Sequence, residues 1–191
     1  MAKKADAKGR ILETAGRLFY EQGYSGVGVN QIIGEACTAK ATFYQHYPSK
    51  EQLCVAWLDS MHENSKLARA EILSSADDPA EKIEEYFTAL ENFLEQSHFR
   101  GCPFTNTSSV TGEGCESIHT KIEAHKGSIR DFFRDLARQF TACDSRAREV
   151  GDEFFLLYSG ATMEAQNLRA IWPVQAARRA ALERCEQEKL R

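Results

Sequence analysis

Six side chains in one short stretch carry groups suited to gripping phosphates and base edges: Lys40, Thr42, Tyr44, Gln45, His46 and Lys50. Together they offer ammonium, hydroxyl, amide and imidazole groups, which reach phosphate oxygens or the hydrogen-bonding edges of bases. Lysine suits guanine and glutamine suits adenine, so Lys40 and Gln45 are the candidates for reading base edges. The background of these residues gives them meaning. Residues 29–50 hold two short helical patterns almost back to back. The first places Ile32, Ile33 and Ala36 on one side, and the second, about 39–46, turns Phe43 and Tyr47 inward. Little more than Cys37 and Thr38 separates them. A turn that short lets the second helix stand clear of the first and enter a major groove.

The flanking chain supplies what such a pair needs. Residues 6–22 carry Ile11, Leu12, Ala15, Leu18 and Phe19 on one apolar stripe, closed by Gly23. Ser49 is placed to N-cap a following helix, with Gln52 completing a capping box. That helix runs to about residue 73 with Leu53, Trp57, Leu58 and Met61 inward, so a shift at its far end would swing the two short helices. Further helical patterns follow at about 80–96, 105–110, 116–142, 146–169 and 174–189, with Trp172-Pro173 as punctuation. No stretch alternates with the period of a strand. The expected fold is all-α with about nine helices: an N-terminal three-helix head over residues 1–48 and a larger helical body over 49–191.

Composition limits the possibilities further. Hydrophobic residues make up 42% and charged residues 27%, as in ordinary globular chains. No apolar run reaches the length of a membrane helix, and the basic start lacks an apolar core of a leader, so a cytoplasmic protein is expected. The net charge of −4 is unevenly spread. Residues 1–50 carry +3 and the remainder −7, so the basic side is the side with the paired helices. Six scattered cysteines without a CxxC pair do not form a disulfide framework.

The residues now quoted resemble the DNA-binding region of the TetR/AcrR family of bacterial transcriptional regulators. Ile32-Ile33-Gly34, Ala36-Cys37-Thr38-Ala39, Lys40-Ala41-Thr42-Phe43-Tyr44-Gln45-His46-Tyr47 and Pro48-Ser49-Lys50-Glu51-Gln52-Leu53 follow its pattern, as do Arg10-Ile11-Leu12, Ala15, Leu18-Phe19 and Gly23-Tyr24. The similarity covers the first quarter to third of the chain. Cys37 stands where the family has a turn glycine, and Ala39 where it has serine. If Cys37 takes positive φ it bears a strain glycine avoids, and Thr38 becomes the candidate N-cap. The resemblance implies backbone contacts by Thr42, Tyr44, Lys50 and His46. It also implies a homodimer formed by the last two helices, where Gly160, Ala161, Ala165, Ala176, Ala177, Ala180 and Ala181 permit close approach. The partners so implied are a duplex operator and a small-molecule effector.

Outside the head, Arg100-Gly101-Cys102-Pro103-Phe104 is similar to a Gly-Cys-Pro motif of one subgroup, some of whose members sense electrophiles or oxidants through the cysteine. Arg100 and a helix start would favour the reactive thiolate, although Phe104-Thr105-Asn106 departs from that motif. Phe87, Phe104, Phe133, Phe154 and Tyr158, with Cys102, are the candidate effector pocket or sensor. Cys115 and His119 have the spacing of two ligands on a helix face, but nothing completes a site, and neither metal nor cofactor is expected. No arrangement resembles an active site. The leading reading is a ligand-released homodimeric repressor of a palindromic operator. The alternatives are a Cys102-based electrophile- or oxidant-sensing repressor and, more remotely, an all-helical binding protein or enzyme with no role on DNA.

Overall fold

The computed structural model describes residues 6–112 and 114–190. Among them are nine α-helices and no strand: α1 (Ala7–Gln22), α2 (Val29–Glu35), α3 (Lys40–His46), α4 (Lys50–Ser75), α5 (Pro79–Gln96), α6 (Pro103–Ser108), α7 (Glu116–Ala137), α8 (Asp144–Leu168) and α9 (Trp172–Lys189). The all-helical class read from the sequence holds. Residues up to 63 together with 103–124 form one compact unit, and 64–102 together with 125 onward form a second; α4 and α7 contribute to both.

In the first unit α1, α2 and α3 surround Ile11, Ala15, Leu18, Phe19, Ile32 and Phe43, all 3% exposed or less. Asp6 caps α1 by accepting from the Gly9 N–H at 2.7 Å. Gly23 ends it at φ +81°, a conformation that glycine reaches without a steric penalty. Gly16 is required for a different reason. A Cβ there would lie 2.6 Å from the Trp57 ring, so its absence lets the indole of α4 lie against α1. Phe104 of α6 packs in this unit, fully buried.

The second unit is an aromatic-rich bundle. Phe87, Phe133 and Phe154 are fully buried among Ile83, Leu94, Leu136, Val150 and Ala147. Ring centroids of Tyr86 and Phe133 stand 4.9 Å apart in an edge-on arrangement. α7 and α8 cross closely, because a Cβ on Gly151 would meet Arg134 backbone atoms at 2.6 and 2.7 Å. Beside this crossing, Asp152 accepts from Arg134 at 2.8 and 3.0 Å and from Arg130 at 2.7 Å. The Arg130 and Arg134 guanidinium groups hold the Asp152 carboxyl down at about 2. At the far end of α9, Glu188 is 7% exposed and meets Arg146 at 2.7 Å.

Several helix ends differ from those read off the sequence. α9 begins at Trp172, with Pro173 inside its first turn rather than ahead of it. α6 likewise starts on Pro103 instead of residue 105. Proline is accommodated there because the first-turn N–H groups have no intrahelical partner to lose. α7 stops at Ala137, short of residue 142, where Gln139 and Phe140 bond three residues back and tighten the chain.

Candidate nucleic-acid interface

The α2–α3 turn is built by its backbone. The Thr38 N–H bonds to Ile33 O at 3.2 Å and the Cys37 N–H to Gly34 O at 3.2 Å, the paired bonds of a Schellman closure. Cys37 occupies the left-handed position of that closure at φ +50°. A non-glycine residue bears roughly 1 kcal/mol of strain there. Ala39 follows in extended conformation and is the residue ahead of α3. It makes no side-chain cap, so the expectation that Thr38 caps α3 is corrected: the helix begins one residue too late for its hydroxyl. The turn is held by main-chain bonds instead.

α2 is fastened to α1 by a charged link. Arg17 meets Glu35 at 2.5 Å and Glu21 at 3.3 Å. Such an exposed pair contributes little stability. α3 is seated by its own inner face. Phe43 is wholly buried, Tyr47 is 4% exposed, and the Tyr47 hydroxyl donates to Lys8 O at 3.4 Å. Burial raises the Tyr47 pKa and keeps the phenol neutral.

With that face fixed, the remaining side chains of α3 point outward. Lys40 and Gln45 are exposed, Tyr44 is 43% exposed, and Thr42 and His46 are half-buried at the rim. Tyr44 stands edge-on to Phe43 with centroids 5.2 Å apart, which orients the phenol without burying it. Among the described residues no hydrogen bond or ion pair engages Lys40, Gln45 or His46. These groups are held on a rigid surface and left open for a partner.

Lys50 is placed differently from the expectation. Its ammonium donates to Tyr24 O at 3.0 Å and Val27 O at 3.1 Å, and stands 4.3 Å above the Tyr24 ring. The loop carbonyls between α1 and α2 have captured it, so it is not a free cation of the outer surface. Ser49 does cap α4, accepting from the Gln52 N–H at 3.1 Å. Missed by the sequence reading was the Tyr24 platform; its signal is the aromatic residue just after the Gly23 terminator.

The proposed pocket residues divide. Phe104 falls in the first unit, while Phe87, Cys102, Phe133, Phe154 and Tyr158 fall in the second. Phe87 and Phe133 are core, with rings 6.3 Å apart. Cys102 is 6% exposed, and its neighbour is Lys126, whose Nζ lies 3.8 Å from Sγ. Burial raises the Tyr24 phenol to about 12, with smaller contributions from the nearby Cys115, Cys54 and Glu51. No group of three or more His, Cys, Asp or Glu among the described residues is placed to hold a metal ion.

On α8 and α9 an open groove of about 730 Å³ is lined by Leu156, Gly160, Glu164, Trp172, Ala176 and Ala180, among others. Leu156 is 67% exposed and Trp172 59%. The small residues divide: Ala165 and Ala181 are buried within the bundle, Ala161 and Ala177 are buried yet border the groove, and Gly160, Ala176 and Ala180 line it on the more open side.

A short helix pair with a buried seat, an open polar face and a tight main-chain turn defines a helix-turn-helix DNA-binding protein. Residues 11–56 match the family described as bacterial regulatory proteins, tetR family. The chain is 31% identical over 147 residues to the HTH-type transcriptional regulator LmrA of Bacillus subtilis (strain 168), covering 76% of this chain and 78% of that one. It is 26% identical over 171 residues to the HTH-type transcriptional repressor NemR of Escherichia coli (strain K12), covering 87% and 80%. The crystal structure of SCO4454, a TetR-family transcriptional regulator from Streptomyces coelicolor, matches with a TM-score of 0.82 at 24% identity, over 96% of this chain and 94% of that one. The chain belongs to the tetR family of bacterial regulatory proteins, and its role is that of a DNA-binding transcriptional regulator. No helix among the described residues is long and apolar enough to cross a membrane.

Proposed function

We propose that the protein is a homodimeric repressor of the cytoplasm, with a DNA-binding head over residues 1–48 and an effector-binding and dimerising body over 49–191. The observation that carries this reading is the open face of α3. Lys40 and Gln45 meet base edges, and Thr42, Tyr44 and His46 hold phosphates. Lys50 acts one step back, fixing the loop that carries Tyr24 and Val27. Two copies place their α3 helices in major grooves about 34 Å apart on a palindromic operator. The open apolar groove of α8 and α9 supports a two-fold four-helix contact, since Leu156 and Trp172 are too exposed to be satisfied within one chain. An effector in the second unit acts through α4, releasing DNA only if it binds the released conformer more tightly.

The test is fluorescence anisotropy with duplex from upstream of the protein's own gene, at 50 and 200 mM salt. A steep salt-dependent loss of affinity is expected, because each phosphate contact releases about one counterion. Absence of any salt-sensitive affinity removes the regulator mechanism. A Leu156→Glu, Trp172→Glu double variant is expected to sediment as monomer and to lose the operator; a dimer that persists moves the contact elsewhere.

A second reading has its own support. The Lys126 ammonium stands 3.8 Å from the Cys102 sulfur, so a cation adjoins this thiol. Cys102 then reports electrophiles or oxidants, and covalent modification replaces a diffusible effector. If a Cys102→Ser protein still leaves its operator under an electrophile, this reading is excluded.

A further inference from the structure

Arg69 lies on the inward stripe of α4 and is 5% exposed. Its guanidinium donates to Ser65 Oγ at 2.5 Å and Ser128 Oγ at 2.8 Å, and its Cζ stands 6.0 Å from the Phe132 ring centroid. No carboxylate meets it among the described residues. Burial lowers its pKa, but a guanidinium remains charged in any folded protein. Elsewhere in the same unit a buried charge is neutralised: Glu188 is met by Arg146 at 2.7 Å and Arg184 at 3.4 Å. A buried cation with only neutral hydroxyls around it is the exception to the rule that buried charges are paired.

The groups beside Arg69 reinforce this imbalance. Tyr86 and Tyr158 are buried, with their rings edge-on to each other, and both feel the Arg69 charge. Lys126 stands 5.6 Å from the Tyr158 ring centroid and again has no carboxylate partner among the described residues. Around them the Tyr86–Phe132 and Tyr86–Tyr158 ring centroids are 5.2 and 5.6 Å apart. The second unit, acidic at its surface, thus keeps two unbalanced cations and several hydroxyl donors against an aromatic wall.

We infer that the effector of this regulator is a small aromatic carboxylate, its carboxyl group held by Arg69 and its rings against Tyr86, Phe132 and Tyr158. The inference rests on the reading of the second unit as the effector-binding part. Of the two cations only Arg69 is buried, and the single charge it holds inside the unit matches a carboxylate better than a phosphate dianion. The planar guanidinium pairs with a carboxylate through two parallel N–H donors, a stronger contact than the two serine hydroxyls offer. Those serines sit on different helices, Ser65 on α4 and Ser128 on α7. A carboxylate that displaces them therefore rearranges the polar link between α4 and α7 inside the unit. That is a route by which occupancy changes structure.

The test uses full-length protein and three compounds of matched shape: 1-naphthoate, 1-naphthamide and 1-naphthylmethylammonium. Thermal melts read binding and operator anisotropy reads release. Naphthoate is expected to raise Tm and release the duplex, with the amide and the ammonium at least tenfold weaker. Arg69→Met, shown to be folded by circular dichroism, is expected to bind naphthoate at least tenfold more weakly. Ser128→Ala, a milder change, is expected to remain folded and shift the naphthoate affinity several-fold. Equal responses to naphthoate and naphthamide, or an unshifted naphthoate affinity in both variants, overturn the anion inference while leaving ligand release standing. Silence of all three compounds in both assays overturns this inference and counts against release by a diffusible ligand.

Discussion

Two cations, one in each unit, are treated in opposite ways. Lys40 on α3 has no carboxylate partner and stands in solvent, where an unpaired ammonium has almost no free-energy cost. Arg69 has no carboxylate partner either, yet is shut among aromatic rings and hydroxyls. The first arrangement suits a partner that is itself large, charged and solvated. The second suits a small partner able to bring the missing charge inside. An unpaired charge is thus informative only together with its burial: outside it marks an electrostatic surface, and inside it marks an incomplete site.

Five perturbations separate the two units, and they span a wide range of effect. Phe133→Ala removes a ring packed among Tyr86, Phe87 and Phe154, and is expected to destabilise the protein by about 4 kcal/mol in urea unfolding. The same experiment on α3 should show almost nothing. Combining Lys40→Ala with Tyr44→Phe is expected to leave the unfolding midpoint unchanged while weakening duplex binding by about 30-fold, or roughly 2 kcal/mol. A large stability loss in that double variant would mean that the open face of α3 is structural. Lys50→Met tests the intermediate case. Losing its two bonds to Tyr24 O and Val27 O should lower stability by about 2 kcal/mol and weaken DNA binding indirectly. If only DNA affinity falls, Lys50 leaves those carbonyls to contact the duplex.

The smallest effect concerns the uncapped start of α3. Ala39→Ser supplies an acceptor for a first-turn N–H and is expected to stabilise the protein by about 1 kcal/mol, read as a higher urea midpoint. No change would indicate that solvent already satisfies the first-turn N–H groups of α3. On the other side of the comparison, Asp152 gives a pH signature. Its pKa is depressed to about 2, so its contribution is present above the ordinary carboxyl value near 4 and is lost as pH falls toward 2. After solvent screening that contribution is on the order of 1 kcal/mol, and Asp152→Asn should remove this part of the acid dependence.

The head was largely legible in the sequence because its information is local. Phe43 and Tyr47 could be assigned inward, and Lys40, Tyr44 and Gln45 outward, from spacing along seven residues. The left-handed turn was legible as well, since Cys37 stands in the place of a turn glycine. What failed was Thr38 as a cap, which depends on one residue of register, and Lys50 as an outer-surface cation, which depends on the loop carbonyls of Tyr24 and Val27. The inward stripe of α4, read as Leu53, Trp57, Leu58 and Met61, continues at the same spacing through Ser65, Arg69 and Ile72. An arginine in such a stripe reads as surface unless the burial of its neighbours is known, and those neighbours lie on α5, α7 and α8.

The sequence by itself determined the helices, the paired short elements near the amino terminus, and the concentration of positive charge beside them. Each of these follows from interactions within a few residues or from a simple count of charges. Tertiary structure alone decided which aromatics are packed solid, which alanines face the α8–α9 groove, where Lys50 sends its ammonium, and that Arg69 is buried without a counter-charge. Those facts depend on which distant segments meet, and hydrophobic periodicity says that a face is covered without saying by what.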